Sequence, residues 1–98
     1  MGIYCVAKAG VEMLTKVLAV ELAKDHINVN AVAPSVVKTR FSQPFWSNED
    51  LLNEIVKTIP MGRIAETGDV VGTVLFLASS LSDFITGEVI TVDGGAMA

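Results

Sequence analysis

One cysteine, Cys5, and one histidine, His26, are all that the chain has of either residue. It cannot close an internal disulfide from its own residues or assemble a Cys/His cluster, and no metal site is expected. Long apolar runs are missing too. The longest, Val70 to Ala78, already contains Gly72 and Thr73 and falls well short of the roughly 18 residues a spanning helix needs, so no membrane segment is expected. Positive charge is scarce: seven Lys and Arg stand against eleven Asp and Glu, for a net charge of -4. Those seven are scattered along the chain, which leaves no cationic stripe for a phosphate backbone and excludes nucleic acid as the expected partner. No basic flank, apolar core and cleavage site open the sequence, and with a lone cysteine the expected location is a reducing cytoplasm. Met1-Gly2 suggests myristoylation, but that motif requires Ser or Thr where Val6 stands.

What is abundant is apolar surface. Of 98 residues 51% are hydrophobic, and the mean hydropathy is +0.53. A domain of this size buries only about 60 to 65% of the surface its unfolded chain exposes. The excess therefore calls for a partner, either the remainder of a larger domain or an oligomeric interface.

From Cys5 to Lys24 there is no proline, and Val11, Leu14, Leu18 and Leu22 recur at steps of three and four, which predicts a long helix. Asp25-His26 interrupts it. Ile27, Val29, Ala31 and Ala33 then alternate with Asn28, Asn30 and Val32 until Pro34 removes a backbone donor, so Ile27 to Ala33 is expected to be a strand. Pro34 to Trp46 has no clear period and reads as an ordered loop. Ser47 offers an N-cap with Asp50 three residues on, and Leu51, Leu52, Ile55, Val56 and Ile59 form an amphipathic stripe that Pro60 stops. Thr67 can cap a third helix with Asp69 in its first turn. The body of that helix, Val70 to Ser79, is apolar nearly all round and is expected to be buried. Gly87 marks a turn, Glu88 to Val92 a strand, and Asp93-Gly94-Gly95 its end. Helix, strand, helix, helix, strand is the order of an α/β sheet with parallel crossovers. Two strands do not complete such a sheet, and its other strands must come from elsewhere.

Tyr4 and Lys8 lie four apart at the start of the first helix, so they share a face one turn apart. A free phenol titrates at about 10 and is a poor proton donor or acceptor at neutral pH. An ammonium fixed about 5 Å from a phenol, at an effective dielectric of about 20, favours the phenolate by roughly 3 kcal/mol. A Tyr so tuned can give a proton to a carbonyl oxygen as hydride reaches its carbon, or remove one from an alcohol in reverse. By itself the spacing is weak evidence, and an interfacial Tyr with a solvated Lys is its commoner meaning.

Four blocks in register go further: Tyr4-Cys-Val-Ala-Lys8, Ile27-Asn-Val-Asn-Ala-Val-Ala-Pro34, Pro60-Met-Gly-Arg-Ile64, and Ile85 through Gly95. In order and spacing they resemble the second half of short-chain dehydrogenase/reductases, and the match covers nearly the whole chain. The resemblance implies an α/β fold in which residues 1–98 are the C-terminal portion of a Rossmann-type doubly wound parallel sheet, part of one domain and incomplete in this chain. It implies an oxidoreductase that interconverts a carbonyl and an alcohol on a small molecule with NAD or NADP. Tyr4 matches the family's acid/base, and Lys8 the residue that holds the nicotinamide ribose. Pro34, Val37 and Thr39 match the loop that binds the carboxamide and nearby phosphate, with Ser35 standing where Gly is usual. Val36 to Leu52, with Phe41, Phe45 and Trp46, matches the variable segment that closes over substrate; the alternative is that these aromatics only pack in a core or an interface. Asp93-Gly94-Gly95 matches the end of the last strand, and a homo-oligomer, tetramer or dimer, is implied through the long first helix and that strand. Four residues from Tyr to Lys, rather than six, argue against the enoyl reductase branch.

Cys5 reads as a small packed residue, because no catalytic histidine can be inferred beside it. His26 reads as a polar cap or a surface residue at a helix-to-strand junction, and Glu12, Lys16 and Glu21 as a solvated face or subunit contact. The glycine-rich turn that would receive a pyrophosphate is not in these 98 residues: the eight glycines include no G-x-G-x-x-G. Nor are the family's Ser, expected about a dozen residues ahead of Tyr4, and its upstream Asn motif. The isolated chain is accordingly expected to be inactive and to bind the cofactor poorly. Two alternatives are a non-catalytic oligomerisation module and a half-enzyme that works when complemented.

Overall fold

The structure is a computed structural model that describes residues 2–98. Helix α1 spans Gly2–Leu22 and runs into a 3-10 turn, Ala23–Asp25. It begins three residues earlier than the periodicity required, because nothing from Gly2 to Tyr4 breaks a helix. His26 closes the turn in the left-handed region (φ 60°, ψ 34°), its N–H donating to the Ala23 carbonyl at 3.0 Å. This is the capping position expected of it.

Strand β1, Ala31–Pro34, pairs in parallel with β2, Val89–Val92, from Ala31 beside Val89 to Pro34 beside Val92. Between them lie α2 (Gln43–Trp46), α3 (Glu49–Lys57), α4 (Thr67–Ala78) and a 3-10 turn at Ser80–Ser82. The parallel α/β arrangement is the one expected. β1 is shorter than the predicted Ile27 to Ala33, and its partner is the reason. Opposite Val29 the chain is the turn at Thr86-Gly87, where Gly87 has φ 80° and cannot continue a ladder. There Val29 N–H donates to Thr86 Oγ1, and Gly87 N–H to the Val29 carbonyl. Pro34 closes the strand rather than lying beyond it. Ala31 and Ser35 donate their N–H groups toward β2, so by alternation the position of Pro34's missing donor is the other, unpaired edge, where it costs no bond.

Helix α3 is capped by Asn48 rather than Ser47: Asn48 Oδ1 accepts from Leu51 N–H at 3.1 Å. Thr67 is likewise not a cap but the first residue of α4. Glu66 holds the N-cap position, and its N–H donates to Asp69 Oδ2 at 2.7 Å.

The expectation that α4 is buried does not hold within this chain. Val71, Val74, Leu75 and Phe76 are 37 to 63% exposed, because no element covers that side of the helix. Among the described residues the buried apolar ones are Ala19, Ile59 and Ile64, joined by Thr15 and Ser82. The accessible surface is 7207 Å², against about 5,400 Å² for a compact protein of this mass. The radius of gyration is 15.6 Å, against about 12.6 Å for a compact domain of this length. Both measures describe a layer of a larger core. A cleft of about 320 Å³ between α1 and β1, lined by Ala7, Val11, Ala31 to Pro34 and Val89 among others, follows the same pattern. Among the described residues no helix is long and apolar enough to cross a membrane, and no group of His, Cys, Asp and Glu is placed to hold a metal ion.

Candidate functional site

Tyr4 and Lys8 project from the first turns of α1, with Lys8 Nζ 5.9 Å from the centre of the Tyr4 ring. Both line a cleft of about 490 Å³ together with Glu12, Ala33, Pro34, Ser35, Val36, Thr91, Asp93, Ala96 and Met97. The cleft lies where β1 and β2 end, the carboxyl edge at which open parallel sheets bind their ligands. Parallel pairing sets Pro34 beside Val92, and Ser35 N–H donates to the Val92 carbonyl at 3.3 Å. Ser35 is not among the residues with positive φ, so serine adopts this backbone without the strain that would call for glycine. Tyr4 is well exposed, its hydroxyl free to donate or accept, and Lys8 offers donors one turn away.

The other expected site residues lie elsewhere on the same loop. Val37 forms a parallel bridge with Ala65, and Lys38 N–H donates to the Ala65 carbonyl at 2.7 Å. Thr39 is engaged locally. Its N–H donates to Ser42 Oγ at 3.0 Å, its hydroxyl accepts from Ser42 N–H at 3.2 Å, and its carbonyl accepts from Trp46 Nε1 at 3.0 Å. Ser42 Oγ also donates to the Val37 carbonyl, so one serine pins the turn. Lys38 Nζ stands 4.9 Å over the Trp46 ring. Thr39 and Trp46 line a separate open cleft with Lys38, Arg40, Gln43 and Glu66. Phe41 is 95% exposed and Phe45 half exposed. Tyr4, Lys8 and Pro34 are thus brought together, whereas Val37, Thr39, Phe41, Phe45 and Trp46 are not among the residues that line their cleft.

Among the lining residues that were not singled out from the sequence as site residues are Glu12, Asp93 and Met97. Glu12 follows Lys8 by one turn on the same face, a signal that the helical spacing did carry. Asp93 and Met97 enter through the β1–β2 register, which no local pattern encodes. Beside this cleft, Arg63 forms a two-pronged ion pair with Asp69, at 2.8 and 3.2 Å. The Arg63 side chain, seconded by the Glu66 N–H, lowers the Asp69 carboxyl to about 2, and Asp69 in turn raises Arg63. The pair fastens the turn before α4, lining a smaller cleft of about 330 Å³ with Ser35, Asp93 and Gly94.

The family described as enoyl-(acyl carrier protein) reductase matches residues 1–97. L-xylulose reductase of Bos taurus is 46% identical over 97 residues, which cover 99% of this chain and 40% of that protein. A Pseudomonas aeruginosa RhlG/NADP active-site complex superposes with a TM-score of 0.85 at 33% identity, over 93% of this chain and 37% of that one. A 4-hydroxyisoleucine dehydrogenase complexed with NADH gives a TM-score of 0.91 at 31% identity, over 96% of this chain and 39% of that one. The chain therefore spans about 40% of the length of the relatives it matches. The family description names one activity and the relatives carry others, so likeness alone does not select a substrate.

Proposed function

This chain belongs to the short-chain dehydrogenase/reductase family, and on that footing we propose that it supplies the acid/base half of an NAD(P)-dependent oxidoreductase acting on a small carbonyl/alcohol pair. The observation that carries the reading is the placing of Tyr4 and Lys8 together in one cleft at the carboxyl ends of two parallel strands. The residues present fit one end of a dinucleotide. The Lys8 ammonium, the Tyr4 hydroxyl and the polar groups of Ser35 can meet ribose hydroxyls and a carboxamide, while the glycine-rich turn that would hold the pyrophosphate is not among these residues. When bound, the nicotinamide supplies or accepts the hydride. Tyr4 donates its phenolic proton to the carbonyl oxygen in reduction and takes it back in oxidation. Lys8, one turn away, would hold the ribose and stabilise negative charge developing on the Tyr4 oxygen. Pro34, Val37 and Thr39 would continue the wall along the cofactor, and Phe41, Phe45 and Trp46 would close over substrate once the uncovered side of the loop is filled.

The chain alone is inactive on this reading, because nucleotide affinity resides largely on the half it lacks. The working protein is a homo-oligomer, a dimer or tetramer joined through α1 and β2, and it resides in the cytoplasm, where the Cys5 thiol, exposed in this chain rather than packed as expected, stays reduced. The test is a chimera in which this chain replaces the matching C-terminal 40% of bovine L-xylulose reductase. It should oxidise NADPH or NADH in the presence of L-xylulose, and Tyr4→Phe should lower kcat by about 100-fold or more. Equal turnover with Phe at position 4 would sink the proposal. A second reading, an oligomerisation module, draws on the exposed apolar face of α4. Co-purification with a full-length relative, and no activity when mixed with an N-terminal half, would favour it.

A further inference from the structure

Beyond β2 the chain turns back on itself, and one carboxylate directs the turn. Asp93 Oδ1 accepts from Gly95 N–H at 3.0 Å, and Oδ2 from Met97 N–H at 2.9 Å. Gly94 and Gly95, at φ 63° and 94°, make the reversal, and Ala96 N–H donates back to the Asp93 carbonyl at 3.2 Å. The outcome is that Ala96 and Met97 form part of the wall of the cleft that holds Tyr4 and Lys8. Met97 is 83% exposed, so folding of this chain gains little from its side chain. Yet its backbone is fixed by a charged acceptor. An unbranched thioether held at the edge of a reaction cleft can fold over apolar groups of different shape. With Ala33, Pro34 and Val36 it makes the apolar part of a cleft whose charged part is Lys8, Glu12 and Asp93.

The geometry points to Met97 as a specificity-determining residue that contacts the aliphatic substituent of the carbonyl carbon, and to Asp93 as the residue that positions it. The inference rests on the reading of Tyr4 as proton donor, since that fixes where the carbonyl sits. Substrates with an apolar chain of several carbons on one side of the carbonyl are favoured over the shortest ones.

The chimera described above tests this with two probes, 2,3-butanedione and 2,3-heptanedione. Met97→Ala should raise KM for heptanedione about tenfold relative to KM for butanedione, the discrimination expected for lost methylene contacts in an apolar pocket. Met97→Leu should restore most of it. Asp93→Asn, which keeps one acceptor oxygen and loses the other, should move the same KM ratio in the same direction, which a merely structural defect would not do. An unchanged ratio in Met97→Ala overturns the inference while leaving the role of Tyr4 intact. A Tyr4→Phe chimera that keeps its activity overturns the functional reading instead. If the chimera does not turn over, methyl-labelled methionine in the same protein still decides. The Met97 methyl resonance should shift on titration with heptanedione, and a resonance that stays in place overturns the inference.

Discussion

Gly94 lies so close to Ile59 that a Cβ built on it would stand 2.7 Å from Ile59 Cγ2. Ile59 is one of the few buried apolar residues, and Met61 N–H donates to the Gly94 carbonyl at 3.0 Å. Two motifs more than thirty residues apart, Pro60-Met61-Gly62 and Asp93-Gly94-Gly95, therefore form one unit that borders the Tyr4 cleft. Gly94 also has φ 63°, so a side chain there meets both strain and overlap. Gly94→Ala should destabilise the chain by about 1 to 3 kcal/mol. Gly10→Ala, inside α1 with open space around it, should be neutral or stabilise by up to about 1 kcal/mol. Urea unfolding followed by circular dichroism separates the two, and equal midpoints would refute the close fit.

Asn30 acts as a strut between β1 and the start of β2. Its Nδ2 donates to the Ile85 carbonyl, and its Oδ1 accepts from Glu88 N–H, both at 3.0 Å. Asn30→Ala removes both bonds at once and leaves a backbone donor and acceptor without partners, which costs about 1 to 3 kcal/mol. Asn30→Asp keeps the acceptor and should cost less. The same unfolding measurement ranks them, and a harmless Asn30→Ala would show that water replaces the strut.

How much of this was legible beforehand differs from residue to residue. The shared face of Tyr4 and Lys8 was readable because a helix places residues four apart on one side, whatever surrounds it. The helix caps were missed by one residue at Asn48 and Glu66, because neighbouring residues there can each cap and only the local geometry chooses. The burial of α4 was misjudged because a helix apolar all round declares that it needs cover, not that this chain provides it. Met97 and Asp93 were invisible as cleft residues, since they reach Tyr4 only through the pairing of β1 with β2.

The ion pair of Arg63 with Asp69 makes a pH signature. The Asp69 carboxyl is lowered from an ordinary 3.8 to about 2, so the folded state favours its ionised form. The contribution is complete above about pH 4 and is lost as pH falls from there toward 2. Asp69→Asn should flatten this part of the pH dependence and loosen the first turn of α4. Both partners face solvent, so the effect is small and shrinks with added salt. Thermal melts of wild type and Asp69→Asn at pH 2, 3, 4 and 6 check this, and parallel curves would show that the pair contributes nothing.

The exposed apolar surface makes the last prediction, and it separates a layer of a larger core from a self-sufficient module. Val71, Val74, Leu75 and Phe76 on α4, and Leu81 and Phe84 after it, are all open to solvent, and β1 presents an unpaired edge. A chain in this state should bind an environment-sensitive apolar dye and associate as its concentration rises. Mixing with a separately produced N-terminal half of a relative should reduce the dye signal, the result expected when further strands pair with the open edge of β1 and cover the apolar surface beside it. Carbonyl-dependent NADPH oxidation should appear in step with that loss. A dye signal that falls through self-association alone, with no response to the added half, would instead make α4 a contact between copies of this chain.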